Sequence, residues 1–206
     1  MIHDITPPIT ADLKVWPGDV PPRREVQSDM RDGAATTISA LRGTVHLGAH
    51  ADAPSHYGVD APTIDERSID LYLGPCQVVG VKVGRGTSID AEMIQAKIAA
   101  PRVLFKTGTY PDPTVFNDDF AGLSPRSVDE LAAKGVKLIG IDTPSVDLFD
   151  ASDLPSHKAV LRHGMGILEG LVLADVPDGV YELIALPLKL VGFDASPVRA
   201  ILRTMP

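Results

Sequence analysis

Apolar and polar residues alternate with two different periods along this chain. Runs rich in β-branched and other apolar residues predict strands at 36–41, 78–83, 102–106, 137–142, 180–188 and 198–202. Apolar residues recurring every third or fourth position predict a helix over 89–99, with Ser88 as its N-cap. Cap signals predict two more helices, one from Ser124 to Gly135 and one over 154–162 that opens at Pro155. Strands and helices alternate after residue 75, and this order is typical of an α/β protein.

The first third of the chain is cut into short pieces by proline and glycine. The whole sequence contains 18 of each, so residues 1–60 are expected to form short strands and turns. The sequence has no internal repeat, no linker and no shift in composition. We therefore expect residues 1–206 to form one domain.

Composition and charge exclude several classes of protein. Of 206 residues, 44% are hydrophobic and 22% charged, as in ordinary globular proteins. The net charge of −8, without a basic cluster, disfavours nucleic acids and anionic membranes as partners. No apolar run approaches the roughly 18 residues of a membrane span and no signal peptide is evident, so we expect a soluble, cytoplasmic protein. The single cysteine, Cys76, lies in an apolar run and is expected to be a buried structural thiol.

Three of the six histidines lie within eleven residues. His46, His50, Asp52 and His56 all occupy even positions, so an extended backbone would direct them to one face. A straight strand would separate His46 and His50 by roughly 13 Å, a gap that two imidazoles on one ion could barely span at bond lengths of about 2.1 Å. The chain must therefore bend, and Gly48 lies at the midpoint. We predict that His46, His50 and Asp52 share a metal, with His56 just outside the coordination sphere.

The chemistry of these side chains favours a catalytic metal. Structural sites prefer cysteine sulfur, whereas nitrogen and carboxylate ligands suit zinc, manganese or iron with an open water position. A non-catalytic metal-binding or regulatory protein is the alternative, and the additional histidine beside the ligands argues against it.

Further candidate residues lie elsewhere in the chain. His157 is near the start of the predicted helix 154–162. Glu169 lies in the apolar segment 166–173, where a carboxylate needs a partner; a metal ion and a salt bridge with Arg162 are both open. Trp16, the only tryptophan, either anchors the N-terminal segment or offers a flat apolar face to a ligand. His163 is expected at a helix C-terminus, where it complements the helix dipole.

Residues 46–56 match, at every defined position, the phrase HxGxHxDxPxH of the cyclase family of metal-dependent hydrolases. The chain is similar to that family nearly from end to end. Within it, the chain most resembles the bacterial kynurenine formamidases (arylformamidases), through the segments 15–19, 48–54, 72–76, 140–145, 167–171 and 181–188.

The resemblance implies a compact α/β domain with a strand-rich, barrel-like mixed sheet and flanking helices, assembled as a homodimer. It implies a centre of two divalent metals, usually zinc, with manganese as an alternative. One ion would be held by His46, His50 and Asp52 and the second by His157, with Asp52 and Glu169 bridging both.

The resemblance also implies an activity. It is the hydrolysis of N-formyl-L-kynurenine to L-kynurenine and formate, a step of tryptophan degradation, with His56 as proton donor and acceptor and Trp16 against the aromatic ring of the substrate. The alternative is another amide on the same scaffold, such as a cyclic amide of the isatin type or a different aryl formamide.

Overall fold

The computed structural model describes residues 1–205, which form thirteen β-strands and two α-helices. The strands are β1 (Ile2–Asp4), β2 (Arg23–Ser28), β3 (Ile38–Arg42), β4 (His50–Asp52), β5 (Leu73–Gly80), β6 (Ser88–Ile89), β7 (Arg102–Lys106), β8 (Gly122–Leu123), β9 (Leu138–Ile141), β10 (Gly166–Glu169), β11 (Gly179–Ile184), β12 (Ala195–Pro197) and β13 (Ile201–Thr204). The helices are α1 (Pro125–Ala133) and α2 (Pro155–His163).

Nine of the strands form one mixed sheet in the order β1-β13-β11-β5-β7-β9-β10-β4-β12. The neighbours β5, β7, β9 and β10 run parallel, and the remaining neighbours run antiparallel. The sheet curls into a half-barrel. The predicted α/β class with a barrel-like mixed sheet and flanking helices is confirmed.

The central strands are buried on both faces, which explains why they read as continuous apolar runs. One face packs against α1 and α2 through residues such as Phe105, Ile139 and Val160. The opposite face is covered by a second cluster that includes Tyr72 and Leu183. Strands β9 and β10 are buried along their whole length.

Both confirmed helices have the expected proline in the first turn, and each shows one of the expected capping features. The Ser124 side chain accepts a hydrogen bond from the Ser127 backbone amide, and Pro125 occupies the first turn of α1. Helix α2 opens at Pro155 and ends at Gly164, whose φ of +63° is the left-handed conformation that favours glycine. The two helices pack against each other on the same face of the sheet.

The predicted helix over 89–99 is wrong. Ile89 belongs to the short strand β6, beside β8, and only a 3-10 turn over Ala91–Met93 follows it. The Gln77 side chain donates to the Lys97 carbonyl and accepts from the Ala99 amide. These hydrogen bonds satisfy backbone groups that a helix would otherwise satisfy. The segment can therefore bury its apolar residues in an irregular conformation.

The C-terminal strands also differ from the prediction. Strand β11 ends at Ile184, ahead of Pro187, because proline lacks the amide that a sheet ladder requires. The predicted strand 198–202 is replaced by β12 and β13, which lie at or near opposite edges of the sheet. Only residues 198–200 separate them, so the curled sheet brings these edges within about 14 Å of each other.

The strand predicted at 102–106 is confirmed with the same bounds as β7, and the remaining strand predictions hold with shifted ends. The prediction at 36–41 corresponds to β3, which pairs with β2 in a largely exposed hairpin outside the main sheet. The prediction at 78–83 corresponds to β5, which begins earlier and ends at Gly80. Neither α-helix within residues 1–205 has the length and apolar character required to cross a bilayer.

Candidate metal centre

The histidine-rich segment enters the sheet through β4, which lies between β10 and β12. His50 and Asp52 are buried at its two ends. The chain turns at Gly48, where φ is +57°, and the Gly48 carbonyl accepts a 2.8 Å hydrogen bond from His50 Nδ1. The predicted bend is therefore present, and it brings His46 Nδ1 to 3.0 Å from Asp52 Oδ1. Because His50 Nδ1 carries the donated proton, its Nε2 is free to bind a metal.

Strand β10 places Glu169 directly opposite His50 in the sheet register. Its Oε2 lies 3.4 Å from His50 Nε2, and its Oε1 lies 3.5 Å from His157 Nε2. The Val146 backbone amide donates a 2.7 Å hydrogen bond to Oε1 and holds the carboxylate in place. Arg162, the alternative partner considered for Glu169, pairs instead with Asp129 at the surface.

Helix α2 contributes His157 from its first turn. The buried Asp147 accepts hydrogen bonds from the backbone amides of Ser156 and His157, so it caps the helix. The same carboxylate accepts a 2.7 Å bond from His157 Nδ1. This bond fixes the ring so that Nε2 points away from Asp147, to 3.4 Å from Asp52 Oδ2. It is the arrangement by which carboxylates orient metal-binding histidines.

The two oxygens of each carboxylate, Asp52 and Glu169, face different histidines. Asp52 Oδ1 faces His46 and His50, at 3.0 and 3.4 Å, while its Oδ2 faces His157. Glu169 divides its oxygens between His50 and His157 in the same way. Ligands about 2.1 Å from a tetrahedral ion lie about 3.4 Å from one another, so the observed separations match those between ligands of a bound metal.

Several of these donor atoms are buried and lack a hydrogen-bond partner among the described residues. They are His50 Nε2, His157 Nε2 and both Asp52 oxygens. Buried polar atoms without partners are costly, and a cation between them would satisfy all four at once. The residues therefore fit a divalent metal. The division of the five side chains between two ions stays a prediction.

His56 lies at the more exposed side of this group, where His46, Asp52 and His56 place donor atoms within 4.8 Å of one another. Its ring centroid is 4.2 Å from that of His46, and its side chain is 34% exposed, whereas those of His50, Asp52, His157 and Glu169 are almost completely buried. Asp194 accepts a 2.9 Å hydrogen bond from His46 Nε2 and lies 3.8 Å from His56 Nδ1. One carboxylate thus connects a predicted ligand with the predicted proton carrier.

The electrostatics of the centre favour positive charge between the carboxylates. Burial opposes protonation of His46, yet Asp52 and Asp194 raise its pKa to about 9. Burial likewise opposes protonation of His157, and Asp147 and Asp52 raise its pKa to about 10. Burial lowers the pKa of His56, which is farther from the carboxylates. The negative potential that raises the two pKa values is the potential that holds a cation.

The centre forms the floor of a cavity of about 650 Å³, within the range of small-molecule sites. Trp16 lines it, half-buried, with its ring 5.0 Å from Phe149, 5.9 Å from Phe116 and 6.1 Å from Phe120. Trp16 therefore packs in an aromatic cluster and also lines the cavity, and its contact with a ligand stays a prediction.

Sequence reasoning missed Asp147 and Asp194. Neither lies near the histidine-rich segment in the chain, and neither stands in an apolar run that would mark it as Glu169 was marked. Asp147 reaches the site because it caps α2, and Asp194 because its carbonyl pairs with the Ala53 amide next to β4. Only the three-dimensional pairing shows them.

Comparison with known proteins places the chain in a family. A family model described as putative cyclase matches residues 3–148, which is more than half of the chain. The chain belongs to this cyclase family. The histidine-rich segment, β4 and Asp147 all lie within the matched part.

Solved structures of other proteins are similar to this chain in fold. A potential metal-dependent hydrolase with cyclase activity is 29% identical, with a TM-score of 0.84 over 98% of this chain and 96% of that one. A predicted metal-dependent hydrolase from Bacillus stearothermophilus is 31% identical, with a TM-score of 0.82 over 98% and 97%. Isatin hydrolase A from Labrenzia aggregata, at 23% identity and a TM-score of 0.82 over 100% and 94%, shares the fold.

Proposed function

We propose that this cyclase-family chain is a metal-dependent amidohydrolase that cleaves N-formyl-L-kynurenine to L-kynurenine and formate. The observation that carries the proposal is the pair of carboxylates, Asp52 and Glu169, each divided between two groups of histidine nitrogens at the floor of an aromatic-lined cavity. The two solved relatives described as metal-dependent hydrolases support the reaction class.

In this proposal the centre holds two divalent metals, with zinc favoured over manganese. His46, His50 and Asp52 would hold one ion and His157 the other, and Asp52 and Glu169 would each contribute to both. Metals bound there would lower the pKa of a bound water molecule towards neutrality and would stabilise negative charge on the attacked carbonyl oxygen. The protein residues orient the ligands through Asp147, Asp194 and the Gly48 carbonyl.

The cavity walls position the substrate. The face of Trp16, supported by Phe149 and Phe116, offers a flat apolar surface for the aryl ring. A formyl group is the smallest acyl group, and in this proposal it enters between the Trp16 wall and the buried carboxylates. This arrangement holds the reacting carbon close to the ligands, and orientation of this kind contributes strongly to rate.

His56 is the group that moves the proton. The leaving group is an aniline nitrogen, which departs poorly as an anion and must therefore be protonated. His56 lines the cavity beside His46, and Asp194 lies 3.8 Å from its Nδ1. A neutral imidazole there accepts a proton from the attacking water and delivers it to the nitrogen.

The test is a parallel assay of the metal-loaded protein with N-formyl-L-kynurenine, isatin and a simple aryl ester, with and without a chelator. We expect chelator-sensitive release of kynurenine that exceeds turnover of the other two compounds. Turnover of isatin alone would assign the chain to cyclic amides. Bound metal without turnover of any of the three would support a non-catalytic metal-binding protein.

We also propose that the chain acts as a homodimer. The β2–β3 hairpin exposes Val26, Ile38 and Leu41, each at least half accessible to solvent, and an isolated hairpin is marginally stable unless it packs against something. Light scattering after size exclusion is expected to give twice the chain mass of 21.9 kDa. A monomeric mass at micromolar concentration would contradict this assembly.

A further inference from the structure

Two residues of opposite charge flank Trp16 on the wall of the cavity. Lys14 precedes the tryptophan by two positions and Asp19 follows it by three, and all three residues line the cavity. Among the lining residues, all of which lie in the described range 1–205, Lys14 is the only lysine or arginine. The cavity therefore has a single permanent cation, next to the surface proposed to hold the aryl ring.

The carboxylates that line the cavity differ in how fully they are engaged. Asp142 accepts hydrogen bonds from the Thr107 amide and hydroxyl and from the Gly108 amide, at 2.6 to 3.0 Å. Glu169 faces the histidines of the metal centre, and Asp194 accepts from His46. Asp19 accepts only a long bond, 3.3 Å, from the Thr44 hydroxyl. It is therefore the lining carboxylate with the most acceptor capacity left for a ligand.

Backbone hydrogen bonds hold the chain in place at both charged residues. The Lys14 amide donates to the Pro113 carbonyl at 2.9 Å, and the Asp19 amide donates to the Trp16 carbonyl at 3.0 Å, which closes a tight turn. Gly18 within this turn has φ of +101°, a conformation available to glycine. The turn thus presents a cation, an aromatic face and an anion along one short stretch of chain.

Asp19 is also connected to the metal centre. The Thr44 hydroxyl that donates to Asp19 accepts a 3.3 Å hydrogen bond from the His46 backbone amide. Two hydrogen bonds therefore separate the Asp19 carboxylate from the backbone of a predicted metal ligand. We expect a substrate whose formyl group is at the ligands and whose ring contacts Trp16 to extend its remaining substituent towards Lys14 and Asp19, which line the same cavity.

We infer that Lys14 and Asp19 form a subsite for an α-amino acid group, with the Lys14 ammonium binding the carboxylate and the Asp19 carboxylate binding the ammonium of the substrate. This inference rests on the proposed amidohydrolase function and specifies its substrate class as aryl formamides that carry a zwitterionic side chain. Neutral cyclic amides and simple aryl formamides contact Trp16 but leave both charges without a partner. Selectivity then follows from charge pairing at the mouth of the cavity.

The test compares four aryl formamides that share one ring. They are N-formyl-L-kynurenine, its decarboxylated analogue, its deaminated analogue and the ortho-formamidophenyl ketone that lacks both charges. Each is assayed with the wild type, Lys14→Met and Asp19→Asn. Lys134→Met and Asp175→Asn, exposed positions that do not line the cavity, serve as matched controls.

Each variant is expected to lose selectivity for one charge only. Lys14→Met lowers the preference for compounds with a carboxylate over those without one by about fivefold, through KM, and Lys14→Arg restores it. Asp19→Asn lowers the preference for compounds with an ammonium by a similar factor. The control variants keep both preferences. Metal content is measured for each variant and is expected to match the wild type.

Three results overturn the subsite: equal effects of a variant on all four compounds, no effect on any of them, or a wild type that turns over the uncharged compound as well as N-formyl-L-kynurenine. In each of these cases formamide hydrolysis itself persists, so the proposed function stands while the subsite fails. A wild type that hydrolyses none of the four compounds refutes the amidohydrolase proposal instead.

Discussion

At the scale of single residues, Asp147 has two roles, and one substitution tests the role that concerns the metal. It caps α2 and orients His157 through a 2.7 Å hydrogen bond. In Asp147→Asn the side-chain amide no longer matches the proton on His157 Nδ1 as well as a carboxylate does. We expect metal affinity to fall by about 10- to 100-fold, measured by competition with a chromogenic chelator.

The surface offers a matched control for this experiment. Asp129 accepts a 2.8 Å hydrogen bond from His163 Nε2 at an exposed position. Asp129→Asn removes a similar aspartate–histidine pair, and we expect metal affinity to stay at the wild-type value. If the two variants bound metal equally well, Asp147 would have no role in orienting His157.

His56 and His50 are expected to respond differently to substitution because one lies beside the buried group and the other lies within it. His56→Asn should retain metal while the formamidase rate falls by about 10²- to 10⁴-fold, because the proton transfer is lost. His50→Ala should lose metal and activity together. Elemental analysis and steady-state rates measure both effects. Unchanged activity of His56→Asn would remove His56 from the mechanism.

The sequence predicted most of the centre because its signals were local. Even-numbered spacing and the bend at Gly48 brought together His46, His50 and Asp52. Glu169 was marked by its apolar surroundings, although sequence left its partner open. Asp147 and Asp194 were not predictable, because helix capping and the pairing beside β4 bring them to the site from distant parts of the chain.

At the scale of elements, strands β4 and β10 meet at an unusually close point. Gly170 directly follows Glu169, and a Cβ atom on it would lie 2.2 Å from the Gly48 carbonyl oxygen. Its φ is +64°. Glycine at this position allows the approach that sets Glu169 opposite His50, so both the fold and the donor geometry depend on it.

We expect Gly170→Ala to be severely destabilising. The left-handed backbone alone costs about 1 to 2 kcal/mol, and displacement of the Gly48 carbonyl adds at least about 2 kcal/mol. Gly86→Ala is the matched control, because Gly86 has the same φ of +64° and open space around the added Cβ. Denaturant unfolding of the two variants separates backbone strain from the clash. Equal losses of stability would show that the close approach does not matter.

The elements that sequence predicted well are those whose signals are carried by their own residues. Helix α1 has a capping serine and a proline at its first turn, and helix α2 has the proline and a C-terminal glycine, although its N-terminal cap, Asp147, comes from outside the helix. The segment 89–99 has helical spacing, but its backbone conformation depends on another element. The Gln77 side chain on β5 forms hydrogen bonds with two of its backbone groups. A side chain from another element therefore overrode a local periodicity.

At the scale of the whole molecule, the curled sheet could not be derived from strand patterns. Alternation of strands and helices predicted the α/β class, and the barrel-like shape came only from the family resemblance. The curvature of the sheet depends on which strands pair. Strands β12 and β13 lie at or near opposite edges because the chain leaves the sheet at residues 198–200, and the apolar pattern does not mark this break.

The buried core makes Cys76 a reporter of global unfolding. Burial raises the pKa of its thiol from 9.0 to about 12, so at pH 8 the thiol is protonated in the folded protein. The thiolate fraction at that pH is about a thousandfold smaller than in the unfolded chain, and access requires opening of the core. We expect a thiol reagent to label the native protein at least that much more slowly than the denatured protein. Rapid labelling of the native state would contradict this burial.

The proposed function depends most directly on two ions that Asp52 and Glu169 would share. Elemental analysis of the purified chain, equilibrated with zinc and desalted, tests this point together with the isosteric variant Glu169→Gln. We expect about two equivalents of metal in the wild type and about one or fewer in the variant. A wild type that retains no more than traces of metal, or a variant that retains as much as the wild type, would contradict the account.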